Sequence, residues 1–261
     1  MTDNPVEIKD EKETSEEKPK KNEFISLLKD IVSIVAFYLI FTTFAWGAFH
    51  IPSGSMEPTL EVGDRIFVSK FTYGYNRYSY YFDPEFISED RMFAGAPERG
   101  DVVVFTLPHR GGDDFIKRVI GLPGDRIQMR EGRLYINDKL VQRTFIRDVN
   151  YTNYQGNDRR VKEFEEILPG GIKHRIYEAT DRGPFDNTPV FVVPANHYFM
   201  MGDNRDGSSD SRNISNMGPV HQKFIVGEAD ITTFSLYNCD QGKDVGCLGP
   251  IPYGRFFNII K

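Results

Sequence analysis

Residues 31–49 form an uncharged, largely apolar run, and the turn Ile51-Pro52-Ser53-Gly54-Ser55-Met56-Glu57-Pro58-Thr59-Leu60 follows almost at once. At about 1.5 Å rise per residue a helix over this run reaches about 29 Å, close to the hydrocarbon thickness of a bilayer. From residue 49 to Ser55 the chain can extend at most about 20 Å. Whatever Ser55 does is therefore expected at a membrane surface. Ala45-Trp46-Gly47 loosely fits a small-x-small cleavage pattern, so a cleavable signal peptide competes with this reading. The run is longer than the apolar core of such a peptide, and the tail before it is long and mixed in charge. Residues 24–50 are therefore read as a retained transmembrane anchor.

Orientation follows from lysine placement. Lys18, Lys20, Lys21 and Lys29 precede the run, whereas the first Lys or Arg after it is Arg65, which predicts a cytoplasmic N-terminus and a body on the outer side. Residues 1–23 are charged and carry no aromatic side chain, so they are expected as a disordered cytoplasmic tail. The net charge of -6, with no basic block, argues against a nucleic-acid partner. The two cysteines, Cys239 and Cys247, lie in the exported part, where a disulfide closing the intervening Gly-rich loop is the candidate and two free thiols the alternative.

Beyond the anchor, short β-like runs alternate with Gly and Pro. Strands are predicted over 65–70, 101–106, 115–120, 126–129, 134–136, 190–193 and 224–234, rich in β-branched and aromatic residues and bounded by turn signals. Helical periodicity is scarce outside the anchor. The expected fold is mainly β: an antiparallel catalytic domain over 51–261, with two packed sheets or a partly closed barrel, behind one N-terminal transmembrane helix. Residues 73–99, with many aromatics, and 150–188, charged and turn-rich, look inserted and offer no obvious chemical group.

A serine nucleophile needs a base. None of His50, His109, His174, His197 and His221 sits in a motif that suggests one. Lys117 is the better candidate. In a strand over 115–120 it shares a face with Phe115 and Val119, and desolvation there would lower its pKa. Arg118 cannot serve, because guanidinium does not deprotonate. An isolated lysine snorkelling from a strand edge would look the same, so Lys117 alone fixes no mechanism. Pro52 and Gly54 flank Ser53 in a turn that could aim the Ser55 oxygen while the Ser55 N–H and the Ser53 hydroxyl meet a developing oxyanion. An ordinary loop is the alternative. The polar run Gly202-Asp203-Asn204-Arg205-Asp206-Gly207-Ser208-Ser209-Asp210-Ser211-Arg212 is expected as a rigid, heavily hydrogen-bonded loop. Its aspartates lack the ligand order of a calcium loop, so no metal site is expected.

Taken together, the anchor, residues 51–60, Arg99-Gly100-Asp101-Val102-Val103-Val104-Phe105, residues 115–125 and 202–212, in this order, resemble the bacterial type I signal peptidases. These are membrane-bound serine proteases that remove signal peptides. The resemblance implies a Ser-Lys dyad of Ser55 and Lys117, an oxyanion hole from Ser53 and Ser55, and a Ser208 hydroxyl that orients Lys117. It further implies support from Asp210 and Arg212, and pockets for small side chains lined by Ile51 and Ile116. It implies no metal or organic cofactor, with signal peptides of exported preproteins and the lipid bilayer as partners of a monomer in the bacterial inner membrane. Substrate range stays open, from general export to a dedicated pilus or conjugation precursor. A catalytically silent binding domain, the remaining alternative, would be expected to lose Ser55 or Lys117, and both are present.

Overall fold

The computed structural model describes residues 20–80, 87–93, 95–152, 157–235 and 253–261; residues 1–19 of the expected tail and both Cys239 and Cys247 lie outside them. The chain divides into two compact units, Met1–Ile40 and Phe41–Lys261. Helix α1 runs Lys20–Phe44, and its stretch Glu23–Phe44 is 22 residues long, apolar enough to cross a membrane and unburied. At about 1.5 Å per residue that stretch measures about 33 Å.

The helix ends before the apolar run does. Trp46–His50 of the expected anchor forms strand β1, paired antiparallel with β2 (Asp64–Ser69) from Trp46 opposite Ser69 to His50 opposite Arg65. Hydropathy cannot separate the two, because a strand buried on one face is as apolar as the end of a membrane helix. Phe49 packs against the core, and the Trp46 Nε1–H donates to Asp230 at 3.0 Å.

The other strands are β3 (Val102–Leu107), β4 (Asp113–Gly121), β5 (Arg126–Arg130), β6 (Arg133–Ile136), β7 (Lys139–Leu140), β8 (Gln142–Thr152), β9 (Asp158–Leu168), β10 (Ile172–Glu178), β11 (Phe191–Val192), β12 (His197–Met201), β13 (Val220–His221), β14 (Ile225–Ser235) and β15 (Asn258–Ile259). Among the described residues every pairing between them is antiparallel. The main sheet has the order β1-β2-β14-β3-β4-β12-β13, with β15 on β14; two smaller sheets run β11-β5-β6-β7 and β10-β9-β8.

The main sheet is apolar on both faces, and β3 displays the alternation: Val103 and Phe105 join one cluster with Val119, Tyr198 and Met200, while Val102 and Val104 join another with Ile51, Met56, Leu60, Ile66 and Val68. A third cluster sets Ile127, Met129, Leu134 and Ile136 of the β5–β6 hairpin against Ile120, Phe199 and Met201. The result is packed sheets rather than a closed barrel.

Residues 150–188, charged and turn-rich in the sequence, are largely strand. Most of them belong to the sheet β10-β9-β8, whose charges pair across strands: Arg147 with Glu163 at 2.6 Å, Lys173 with Glu165 at 2.9 Å and Arg175 with Glu163 at 3.1 Å. In 73–99, Tyr73 is a core side chain whose hydroxyl donates to Asp101 at 2.6 Å, and Tyr75 bridges Met92.

Candidate active site

Ser55 sits on a single 3-10 turn, Gly54–Met56, just after β1. The apolar residues around it hold that turn to the body: Ile51, Met56 and Leu60 are fully buried in one cluster, and the Ile51 N–H bonds Asp64 O at 2.9 Å. From the opposite side, the Asn204 backbone N–H donates to Ser55 O at 3.2 Å and its side-chain amide to Gly54 O at 3.0 Å. Ser53, extended at the start of the turn, places its Oγ 3.4 Å from Ser55 Oγ.

Lys117 reaches this turn from β4. Val103 stands opposite it on β3, Phe115 and Val119 lie with the cluster on its face, and Ile116 packs on the other face, as alternation predicts. Its Nζ is 2.7 Å from Ser55 Oγ and 2.7 Å from Ile116 O, and the residue is only 4% exposed. Burial lowers the lysine pKa to about 8, against the carboxylates of Asp210 and Asp203, which act to raise it.

Residues 202–212 form the expected bonded loop. The Met200 N–H donates to Ser211 Oγ at 2.9 Å, folding the loop back on β12. Burial acts to raise the Asp210 carboxyl, but Arg212, paired bidentately at 2.8 and 2.9 Å, and the Gly202 N–H at 3.0 Å hold it below its usual range. Gly202 allows a close approach: a Cβ there would stand 2.5 Å from Ser55 O and 2.3 Å from Ser208 Oγ.

One expected contact is not made. Ser208 does not bond Lys117, which uses Ile116 O and Ser55 Oγ instead. The Ser208 hydroxyl is buried against Gly202, close enough to Asp210 to help lower its pKa but short of full hydrogen-bond geometry with any partner. Ile51 and Ile116 meet in the core cluster beside the turn and are absent from the lining of the adjoining cleft of about 420 Å³, which exposes Ser53, Ser55, Phe115 and Lys117.

Four further residues of the site were not singled out in the sequence. Arg118, on the face of β4 opposite Lys117, is fully buried and grips Asp203 with Nε at 2.8 Å and Nη2 at 2.7 Å. Glu57 and Tyr151 meet at 2.8 Å in the cleft wall, and Asn204 joins them. Two adjacent charges inside an apolar strand were the available signal for Arg118. Tyr151 gave none, since it lies in the segment taken for an insertion.

Among the described residues one group has metal-ligand spacing, away from Ser55 and Lys117 but reaching the cleft lining through Asp206: Glu178, Asp186 and Asp206 bring carboxylate oxygens within 4.8 Å of one another. Asp206 already accepts the Ala179 and Thr180 N–H groups, and burial raises the Glu178 pKa to about 8, which leaves it mostly protonated at neutral pH even beside Arg143.

The family model "Signal peptidase, peptidase S26" matches residues 24–234. Signal peptidase I of Rickettsia typhi (strain ATCC VR-144 / Wilmington) is 37% identical over 248 residues, 91% of this chain and 89% of its own. Signal peptidase I of Rickettsia canadensis (strain McKiel) is 38% identical over 232 residues, 85% of this chain and 84% of its own. A crystal structure of a signal peptidase I from Enterococcus faecalis V583 is 26% identical, with a TM-score of 0.30, and covers 51% of this chain and 97% of its own. With the family model matched over the apolar helix, the serine turn, the lysine strand and the polar loop, and curated relatives aligned along most of both chains, this chain belongs to the signal peptidase family, peptidase S26.

Proposed function

We propose that this cleft cleaves signal peptides from exported preproteins, with Ser55 as nucleophile and Lys117 as its general base. The observation that carries the reading is a lysine Nζ 2.7 Å from a serine Oγ, on a residue only 4% exposed. Neutral Lys117 takes the Ser55 proton as Oγ attacks the scissile carbonyl carbon, and the resulting ammonium returns it to the leaving amine. Water then attacks the acyl-enzyme as Lys117 takes its proton, and the ammonium returns that proton to Ser55 Oγ as the ester bond breaks and the cleaved chain leaves with its new carboxyl group. Ser53, whose Oγ lies 3.4 Å from Ser55 Oγ, is proposed to donate to the oxyanion beside the Ser55 N–H. Ser208, Asp210 and Arg212 are proposed as the wall that keeps the lysine dry and Gly202 in place. Ile51 and Ile116 are proposed to back shallow pockets that admit only small side chains before the cut.

A pH profile tests the base. kcat on an internally quenched peptide carrying a small-x-small site should rise with pH as Lys117 loses its proton, with the acid limb near pH 8. An acid limb near pH 10 would mean an ordinary lysine and remove it from the role.

The proposed location is the bacterial inner membrane, with α1 as a single anchor, the N-terminus cytoplasmic and the β-body outside as a monomer. The outer face of the main sheet supports contact with lipid. Ala48, Phe67, Ile231 and Ile259 stand opposite one another across β1, β2, β14 and β15, turned away from the core side held by Ile66 and Val68. Tyr253 and Phe257 beside this row are largely exposed. A chain starting at residue 41, which keeps β1, should bind vesicles of anionic and zwitterionic lipid, and Phe67→Ser with Ile259→Ser should weaken that binding about tenfold without changing Tm. Absence of vesicle binding by the parent would leave α1 as the sole tether.

A further inference from the structure

We propose that Glu57 is a positioning residue, locking the nucleophile turn to Asn204 and, through Tyr151, to the β8–β10 sheet. The inference rests on the reading of Ser55 and Lys117 as nucleophile and base.

Glu57 follows the nucleophile by two positions and closes its turn, with its N–H donating to Gly54 O at 3.2 Å. Its side chain folds back over that turn. A Cβ on Gly54 would stand 2.7 Å from the Glu57 carboxyl carbon, so the carboxylate lies directly on the glycine that precedes Ser55. There one oxygen, Oε2, accepts from Tyr151 Oη at 2.8 Å and from Asn204 Nδ2 at 3.1 Å. The same Asn204 amide reaches Gly54 O, and its backbone N–H holds Ser55 O, so the two residues grip the turn by both peptide oxygens around the nucleophile. Asn204 is itself fixed, since its Oδ1 accepts the Gly207 N–H at 3.2 Å.

The far end of this grip is the β8–β10 sheet. Tyr151 lies near the end of β8 and packs its ring 5.9 Å from that of Tyr177 on β10. Tyr177 brackets the 203–205 segment, donating to Asp203 O and accepting from the Arg205 N–H, both at 2.9 Å. Arg205 is then held, fully buried, by Glu166 of β9. Three segments distant in sequence thus meet at one carboxylate, and the nucleophile turn is one of them.

An electrostatic role is disfavoured by the surroundings. The carboxylates that act on Lys117 are Asp210 and Asp203, and Glu57 is not among them. Burial raises the Glu57 pKa, the direction opposite to that of an anion built to stabilise a neighbouring positive charge. What Glu57 supplies is an acceptor at a fixed point. A displacement of about 1 Å at a reacting group costs about a hundredfold in rate, so slack in this turn should appear in kcat.

The test uses the full-length protein in detergent and an internally quenched peptide with Ala at the first and third positions before the cut. Glu57→Ala should lower kcat about 10–100-fold with KM within about twofold. Glu57→Gln, whose amide oxygen can occupy the Oε2 position, should recover kcat to within about threefold of the parent with the acid limb unmoved. Tyr151→Phe, which removes only a hydroxyl and leaves the ring contact, should lower kcat about 3–10-fold, and the double variant Tyr151→Phe with Glu57→Ala should be no slower than Glu57→Ala alone. An unchanged kcat in Tyr151→Phe overturns the link to the β8–β10 sheet even if Glu57→Ala fails to fold. Multiplying effects in the double variant overturn it too. Glu57→Gln as slow as Glu57→Ala, with a displaced acid limb, overturns positioning in favour of charge. Ser55→Ala runs in the same assay. Turnover there would defeat the nucleophile reading whatever Glu57 does.

Discussion

Lys117→Arg is expected to be as inactive as Ser55→Ala, each losing about 10⁴-fold or more in kcat while the fold is kept. The arginine keeps the positive charge and a similar length, so a role in binding an anionic group would survive the change. A role as base would not, because guanidinium holds its proton at any pH the protein tolerates. The distance of 2.7 Å from Nζ to Ser55 Oγ satisfies geometry, and burial satisfies energetics. With a pKa of about 8, about one lysine in ten is neutral at pH 7, against about one in three thousand at the ordinary value. Ser53→Ala is the graded member of the series. It leaves nucleophile and base in place and removes one donor to the oxyanion, which should cost about 10²–10³ in kcat with little change in KM. Substantial turnover by Lys117→Arg would refute the dyad outright.

How legible this site was depended on which physical signal each residue carried. The alternation that put Phe115, Lys117 and Val119 on one face needs only local period, and β4 obeys it. The same alternation sets Arg118 on the opposite face, but one strand cannot reveal that both faces of the sheet are covered at β4. The carboxylate that receives Arg118 comes from residue 203, and only the folded sheet order, with β12 beside β4, brings the two together. The β8–β10 sheet went unread because its strands are charged. Their stability comes from opposite charges facing across the ladder, as in Arg147 with Glu163, a pattern invisible without the register. Tyr151, and with it the Glu57 contact, was hidden for that reason. At the anchor the error ran the other way: the apolar signal continued through Phe49 although Trp46–His50 belongs to the sheet. Ser208 was assigned to Lys117 on the resemblance alone, and its burial against Gly202 is a packing detail that no motif encodes.

The pairing of Arg118 with Asp203 carries the largest expected effect on stability. Both side chains are fully buried, and Thr59 Oγ1 completes the carboxylate's shell. Burial acts to raise the Asp203 carboxyl, yet Arg118, with His174 and Thr59, holds it below its usual range, so the pair is ionised in the folded state. Removing one partner leaves the other charge stranded. Asp203→Ala is therefore expected to cost about 3–5 kcal/mol. Neither titratable side chain beside the pair replaces the lost charge: Glu166 is committed to Arg205, and His174, pressed to a pKa of about 4 by burial and by Arg118, is neutral. Urea unfolding followed by the emission of Trp46, the only tryptophan, reads the loss directly. Replacing both charges, Arg118→Met with Asp203→Leu, should recover part of it, although the oxygens of Gly100 and Lys261 that Arg118 also serves lose their donor. The milder Asp203→Asn should keep enough folded protein to assay. Since the Asp203 charge acts to raise the Lys117 pKa, its removal should move the acid limb of the activity profile to lower pH. A limb that fails to move downward would mean that the Asp203 charge does not reach the lysine, and a loss below about 1 kcal/mol in Asp203→Ala would mean that the buried pair does not support the fold.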